Sequence, residues 1–121
     1  MLIDTTVLID HLRGFEAARS FLLALADVPA SSEVCRVEIL QGLRPSERAA
    51  AEDLFATLTW VPVDEAVARR AGELGSRFRR SHPGLSLADL VIGATAVELD
   101  LPLATLNVRH FPMFSGLRLP Y

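Results

Sequence analysis

The amino-acid sequence predicts an α/β fold, a small and mainly parallel sheet with helices on both faces. Three observations lead there. Short apolar runs alternate with stretches of helical periodicity, the order that parallel strands joined by crossover helices require. The helical stretches outnumber the strands, enough to cover both faces of a sheet. The 121 residues are 50% hydrophobic and 22% charged, the length and balance of one globular domain spanning 1–121.

Each element has a local reason. Leu2 and Ile3 form a short apolar strand that ends at Asp4. Thr5 and Thr6 can cap a first helix, in which Val7, Leu8, His11 and Leu12 recur at helical spacing until Gly14 stops it. A second helix is expected over Glu16 to Ala26, with Ala17, Phe21, Leu22 and Leu25 on one face. Val28 to Ala30 reads as a brief strand, and Ser31 or Ser32 caps a helix from Glu33 to Leu43. Ser46 caps the next, to Leu58. Trp60 to Val63 reads as a strand, either at a sheet edge or at a strand end, because Pro62 cannot donate to a ladder. Asp64 caps a helix to Arg80, Ser81 to Gly84 is a loop, and Ser86 caps a helix through Leu99. Leu103 to Thr105 is a strand, a turn-helix covers Arg109 to Phe114, and Leu117 to Leu119 is expected to close the chain as a last strand.

Composition removes several chemistries. All 12 basic residues are arginine. Without lysine there is no Walker-type phosphate loop, no Schiff base and no Asp-plus-Lys phosphotransfer site. A formal net charge of −3 rules out a molecule that binds nucleic acid by overall attraction. Any polyanion must meet a local arginine patch or a metal ion. The single cysteine, Cys35, forms no internal disulfide. With no secretory signal and no membrane-length apolar run, the expected setting is the reducing cytoplasm.

In open parallel sheets ligands bind beyond the carboxyl ends of the strands, where the strand order reverses. Asp4 follows the first strand and Asn107 follows the Leu103 strand. Glu38 borders an apolar helix face, and Asp89 interrupts the apolar segment Leu87 to Ile92. Two like charges about 5 Å apart at an effective dielectric near 20 repel by roughly 3 kcal/mol. Asp4, Glu38 and Asp89, if they converge, therefore need protons or a cation. Oxygen ligands select Mg²⁺ or Mn²⁺, which can acidify a bound water and offset phosphate charge. Each residue also suits a plain structural role: Asp4 as a helix cap, Glu38 as a solvated helix residue, Asp89 as half of a capping box with Ser86, Asn107 as a turn residue. Spacing alone leaves the two sets of roles open.

Four motifs carry a resemblance. Leu2-Ile3-Asp4-Thr5-Thr6-Val7-Leu8-Ile9-Asp10 resembles the opening strand and turn of PIN-domain nucleases, and more narrowly of VapC-type toxins of toxin–antitoxin pairs. Val37-Glu38-Ile39-Leu40-Gln41-Gly42 resembles their second motif, Leu87 to Ala96 the third, and Leu103 to Phe111 the fourth. The order is right, and the motifs run from the first residues almost to the last. The resemblance implies a Rossmann-like, three-layer PIN fold and a Mg²⁺- or Mn²⁺-dependent endoribonuclease. It also implies an RNA substrate, a cognate antitoxin as inhibitor, and a homodimer. It assigns the metal to Asp4 and Asp89. Glu38 orients a metal-bound water or supports the ligands from behind, and Thr6 hydrogen-bonds within the site. Asn107 departs from the family's common Asp, and its uncharged amide favours one metal at rest.

The remaining polar residues divide less clearly. His110 is either a proton donor or a packing residue beside Phe111. Arg77, Arg79 and Arg80 either hold RNA phosphates or form the solvated end of a helix. Cys35 reads as a core thiol, and Trp60 and Phe78 as core or interface residues. A housekeeping nuclease and a catalytically silent RNA-binding or interaction module are the competing functions on this scaffold. Retained acids that repel one another argue against the silent module.

Overall fold

The computed structural model describes residues 1–121. Four parallel strands form one sheet in the order β3-β2-β1-β4, where β1 is Leu2–Ile3, β2 Ala30–Ser32, β3 Thr59–Val61 and β4 Leu103–Ala104. Six helices connect them: α1 (Thr5–Leu12) and α2 (Glu16–Leu23), α3 (Glu33–Gly42) and α4 (Arg48–Phe55), α5 (Glu65–Phe78) and α6 (Leu87–Glu98). The chain steps outward from β1 to β2 to β3, then crosses back to lay β4 on the other side of β1. The strand order thus reverses between β1 and β4, where Leu2 pairs with Leu103 and Ile3 with Ala104.

Alternation along these short strands builds the layers. Ile3 and Ala104 face one way, onto Val7, Leu8, Ile39, Leu54 and Phe55 of α1, α3 and α4. Leu2 and Leu103 face the other way, onto Ile92 and Ala96 of α6 and the buried Phe111. A further apolar cluster joins α6 to α5 through Val67, Ala71, Leu74, Leu90 and Val91. The result is the expected three-layer arrangement. Helix α6 carries no amphipathic stripe, because Asp89 through Ala96 are all buried between the sheet and α5.

Caps at Ser32, Asp64 and Ser86 stand where local chemistry requires them: Ser32 Oγ accepts from Val34 N, Asp64 from Val67 N and Ser86 Oγ from Asp89 N. Several boundaries depart from expectation. Helix α2 ends at Leu23, before Ala26. Strand β2 begins at Ala30, because Pro29 has no N–H and Val28 is 68% exposed. Ser31 belongs to that strand and spends its hydroxyl on the Ile3 carbonyl (2.9 Å). Helix α4 starts at Arg48, preceded by a 3₁₀ turn over Pro45–Glu47, and Ser46 caps nothing. Strand β3 stops at Val61, one residue before Pro62. Leu117 to Leu119 is not a strand. The tail is drawn instead to α1 and α2, where Tyr121 Oη donates to Asp10 (3.0 Å) and its ring lies 5.9 Å from that of Phe21.

Candidate functional site

The reversal point between β1 and β4 places Asp4 at the mouth of the sheet, directly after β1. Asp4 is the N-cap of α1, so its structural and chemical roles coincide. The residue is 3% exposed, and its side chain takes three donors: Thr5 N on Oδ1 (2.8 Å), and the hydroxyls of Thr6 (2.8 Å) and Thr105 (2.7 Å) on Oδ2. Thr6 Oγ1 in turn accepts from Leu106 N (3.0 Å), and Thr105 Oγ1 from Asn107 N (3.0 Å). These bonds lock the loop after β4 onto the start of α1. Burial lifts the Asp4 carboxyl above its ordinary range, the three donors oppose that only in part, and the negative charge of Asp89 adds to the rise.

Asp89 stands in the first turn of α6, in a reciprocal capping box. Its Oδ2 accepts from Ser86 N (3.0 Å) while its own N–H donates to Ser86 Oγ (3.1 Å). His110 Nδ1 lies 3.2 Å from the same Oδ2. Glu38, half-buried on α3, accepts from the Thr5 hydroxyl on Oε1 (2.6 Å). Thr5 thus connects two acids, with its N–H on Asp4 and its hydroxyl on Glu38.

The expected acids therefore meet in one neighbourhood, but not as a closed cage: no three His, Cys, Asp or Glu side chains form a metal-holding cluster. Mg²⁺ and Mn²⁺ are commonly bound by one or two carboxylates and keep waters or substrate phosphates for the rest. The donors are all hard oxygens. Asp89 Oδ1 and Glu38 Oε2 have no protein partner, and both belong to side chains in reach of solvent. The residues fit the ion.

Asn107 is exposed, and its side chain makes no hydrogen bond within the protein; its backbone N–H serves the site through Thr105. Sequence reasoning missed Thr5 and Thr105. Thr105 carries a signal, since it is a hydroxyl on an otherwise apolar strand end; Thr5 is marked only by standing next to Asp4. Cys35 lies behind the site with its thiol pushed up to about 11, chiefly by burial, as suits an inert core residue. Trp60 is committed to structure: its Nε1 donates to the Phe55 carbonyl (3.0 Å), and the Arg36 guanidinium covers its ring at 4.0 Å. Arg77, Arg79 and Arg80 are exposed at the end of α5 and make no ion pair, and Arg77 lies 5.0 Å over the Phe78 ring.

Comparison with known proteins decides the family. The PIN domain model matches residues 1–113. The chain belongs to the PIN-domain family. Within it, this PIN domain is 48% identical to ribonuclease VapC19 of Mycobacterium tuberculosis over 99% of this chain and 98% of that protein. It is also 48% identical to ribonuclease VapC10 of the same organism, over 100% of this chain and 92% of that protein. It therefore falls in the VapC group of PIN domains. A toxin–antitoxin complex from Klebsiella pneumoniae superposes with a TM-score of 0.85 at 27% identity, covering 99% of this chain and 97% of its counterpart.

Proposed function

We propose that this PIN domain is a Mg²⁺- or Mn²⁺-dependent endoribonuclease and the toxin of a toxin–antitoxin pair. The observation that carries the reading is Asp4, a carboxylate buried at the reversal point of the sheet beside a second acid, Asp89. A protein gains nothing in stability from burying such a charge without a counter-ion. Similarity to proteins named ribonucleases supplies the substrate class.

Asp4 and Asp89 would hold the cation, with Glu38 orienting a water and the exposed Asn107 amide offering an uncharged oxygen. Such a cation, when bound, lowers the pKa of a coordinated water and neutralises phosphate charge. The chain's own residues do the rest. Thr5, Thr6 and Thr105 hold Asp4 in one rotamer, and Thr5 does the same for Glu38. The unpaired Arg77, Arg79 and Arg80 supply local positive charge for RNA phosphates on a chain of net negative charge.

The antitoxin has a place to dock. Where β2 and β3 begin, a groove of about 640 Å³ opens between α1, α2 and α4, lined by Leu22, Leu23, Leu54 and Leu58 together with the charged Glu16, Arg19 and Asp53. It suits an amphipathic helix whose apolar face meets the leucines and whose polar flank meets the charges. Val37 and Leu87, 60% and 72% exposed beside Glu38 and Asp89, are apolar surface that a two-fold homodimer would cover.

The test is cleavage of a defined RNA with Mn²⁺, with EDTA, and with Asp4→Asn. Cleavage should require Mn²⁺ and fail in Asp4→Asn. RNA cut equally well in EDTA would overturn the metal reading.

A further inference from the structure

The loop after β4 reaches both acids of the mouth. Thr105 Oγ1 donates to Asp4 Oδ2 (2.7 Å) and accepts from Asn107 N (3.0 Å). From Asn107 the chain turns through the 3₁₀ segment Val108–His110, closed by His110 N on the Asn107 carbonyl (2.8 Å). His110 Nδ1 then meets Asp89 Oδ2 at 3.2 Å. One continuous strap thus runs from the carboxylate after β1 to the carboxylate on α6.

The strap is anchored. Phe111 is 1% exposed, packed with Ile92 and Ala96 of α6. Gly93 allows the approach: a Cβ there would meet Met113 Sδ at 3.1 Å and the Phe111 ring at 3.6 Å. His110 is set beside Asp89 by the packing of its neighbours, while its own side chain stays 43% exposed.

We infer that His110 is a positioning residue for Asp89: its Nδ1 stands 3.2 Å from Oδ2, in reach of donating to the oxygen that already accepts from Ser86 N, which leaves Oδ1 as the ligand oxygen. Neutral and protonated imidazole both offer that N–H, and a carboxylate partner selects the Nδ1–H tautomer of the neutral ring. With Ser86 N already bonded to Oδ2, a second donor from His110 would stop the carboxylate from turning about its terminal torsion, which is otherwise broad. The strap therefore presets the geometry of both acids before a cation arrives. The inference rests on the reading of Asp89 as a cation ligand.

Calorimetric titration of Mn²⁺ into the metal-free chain tests it, with melting temperature measured in parallel. His110→Ala should weaken Mn²⁺ binding by about 10- to 100-fold, the usual cost of losing a group that orients a metal ligand. Its metal-free melting temperature should stay near wild type. His110→Asn, whose amide N–H stands close to the Nδ1 position, should recover most of the affinity; His110→Gln, which mimics Nε2, should not. Wild-type affinity in His110→Ala, with binding lost in Asp89→Asn, overturns the inference and leaves the site reading intact. Wild-type affinity in Asp89→Asn overturns both. A loss in His110→Ala that tracks a lower melting temperature and is not recovered by His110→Asn assigns His110 a merely structural role and also overturns the inference.

Discussion

The two ends of the sheet are built on opposite principles. At the end where β1 and β4 finish, Asp4, Thr5 and Thr105 are buried polar groups, each tied to another, and the Asp4 charge is disfavoured by its surroundings. At the end where β2 and β3 begin, Leu22, Leu23, Leu54 and Leu58 line a groove beside Glu16, Arg19 and Asp53, and the one buried side-chain nitrogen without a partner, His11 Nδ1, belongs to a residue of that groove. The first end sacrifices stability to hold a buried carboxylate in place. The second exposes leucine side chains that the proposed antitoxin would bury. Chemistry and control can therefore be altered separately, and the comparison can be broken by substitutions that act on the wrong end.

The largest effect should come from the acids. Asp4→Asn or Asp89→Asn should lower RNA cleavage by about 100-fold or more, since losing a metal's charge stabilisation forfeits several kcal/mol. The double variant should lose little beyond either single one, because members of one site act as a unit. Additive losses in a kinetic comparison would separate the two residues. Glu38→Gln keeps an oxygen for the Thr5 hydroxyl and removes only the charge. It should cost about 10- to 100-fold in cleavage with no change in melting temperature.

Leu23→Glu probes the other end. Leu23 is 74% exposed, so the fold should tolerate the change. Cleavage should be unchanged, while inhibition by the antitoxin should weaken about tenfold or more, the effect of one central apolar contact. A drop in cleavage would show that the ends are coupled.

Stability against pH sharpens the contrast further. Asp4 titrates above its ordinary 3.8 when folded, so the folded chain holds this proton more tightly than the unfolded chain does. Its contribution is present at low pH and is lost as pH rises through the raised value. At neutral pH the metal-free Asp4→Asn variant should therefore melt higher than wild type, and Mn²⁺ should raise the melting temperature of wild type alone. Thermal melts across pH with and without Mn²⁺ check both signs. The smallest effect belongs to Asn107→Ala, about two- to tenfold in cleavage, the worth of one neutral hydrogen bond. Asn107→Asp should tighten Mn²⁺ binding in the free protein.

Much of this was legible in the residues. Helix starts at Ser32, Asp64 and Ser86 follow from a side-chain oxygen three or fewer residues from the N–H it serves. The apolar strands follow from their own composition, and the acids stand out as charges on apolar ground. The order of the four motifs carries the PIN resemblance on sequence alone. The shift of β2 past Pro29 was visible in principle, since a missing N–H is a property of the sequence. The loss of the last expected strand was not, because the choice between the sheet edge and the α1–α2 surface depends on Tyr121 finding Asp10, 111 residues away.

The sequence by itself determined the alternation of elements, their caps, the apolar core and the residue types of the site, because periodicity and capping act over one or two turns of chain. Only the tertiary structure decided how those residues serve one another. Asp4 and Thr105 are 101 residues apart, and Thr5 and Glu38 are 33. They meet because β4 crosses back to lie beside β1 and α3 packs across the start of α1. Asn107 likewise contributes a backbone N–H to the site, and His110 comes within 3.2 Å of Asp89, through the path of a loop that no local pattern specifies. Hydrogen bonds between distant residues are set by strand order and packing, and strand order is a property of the assembled sheet.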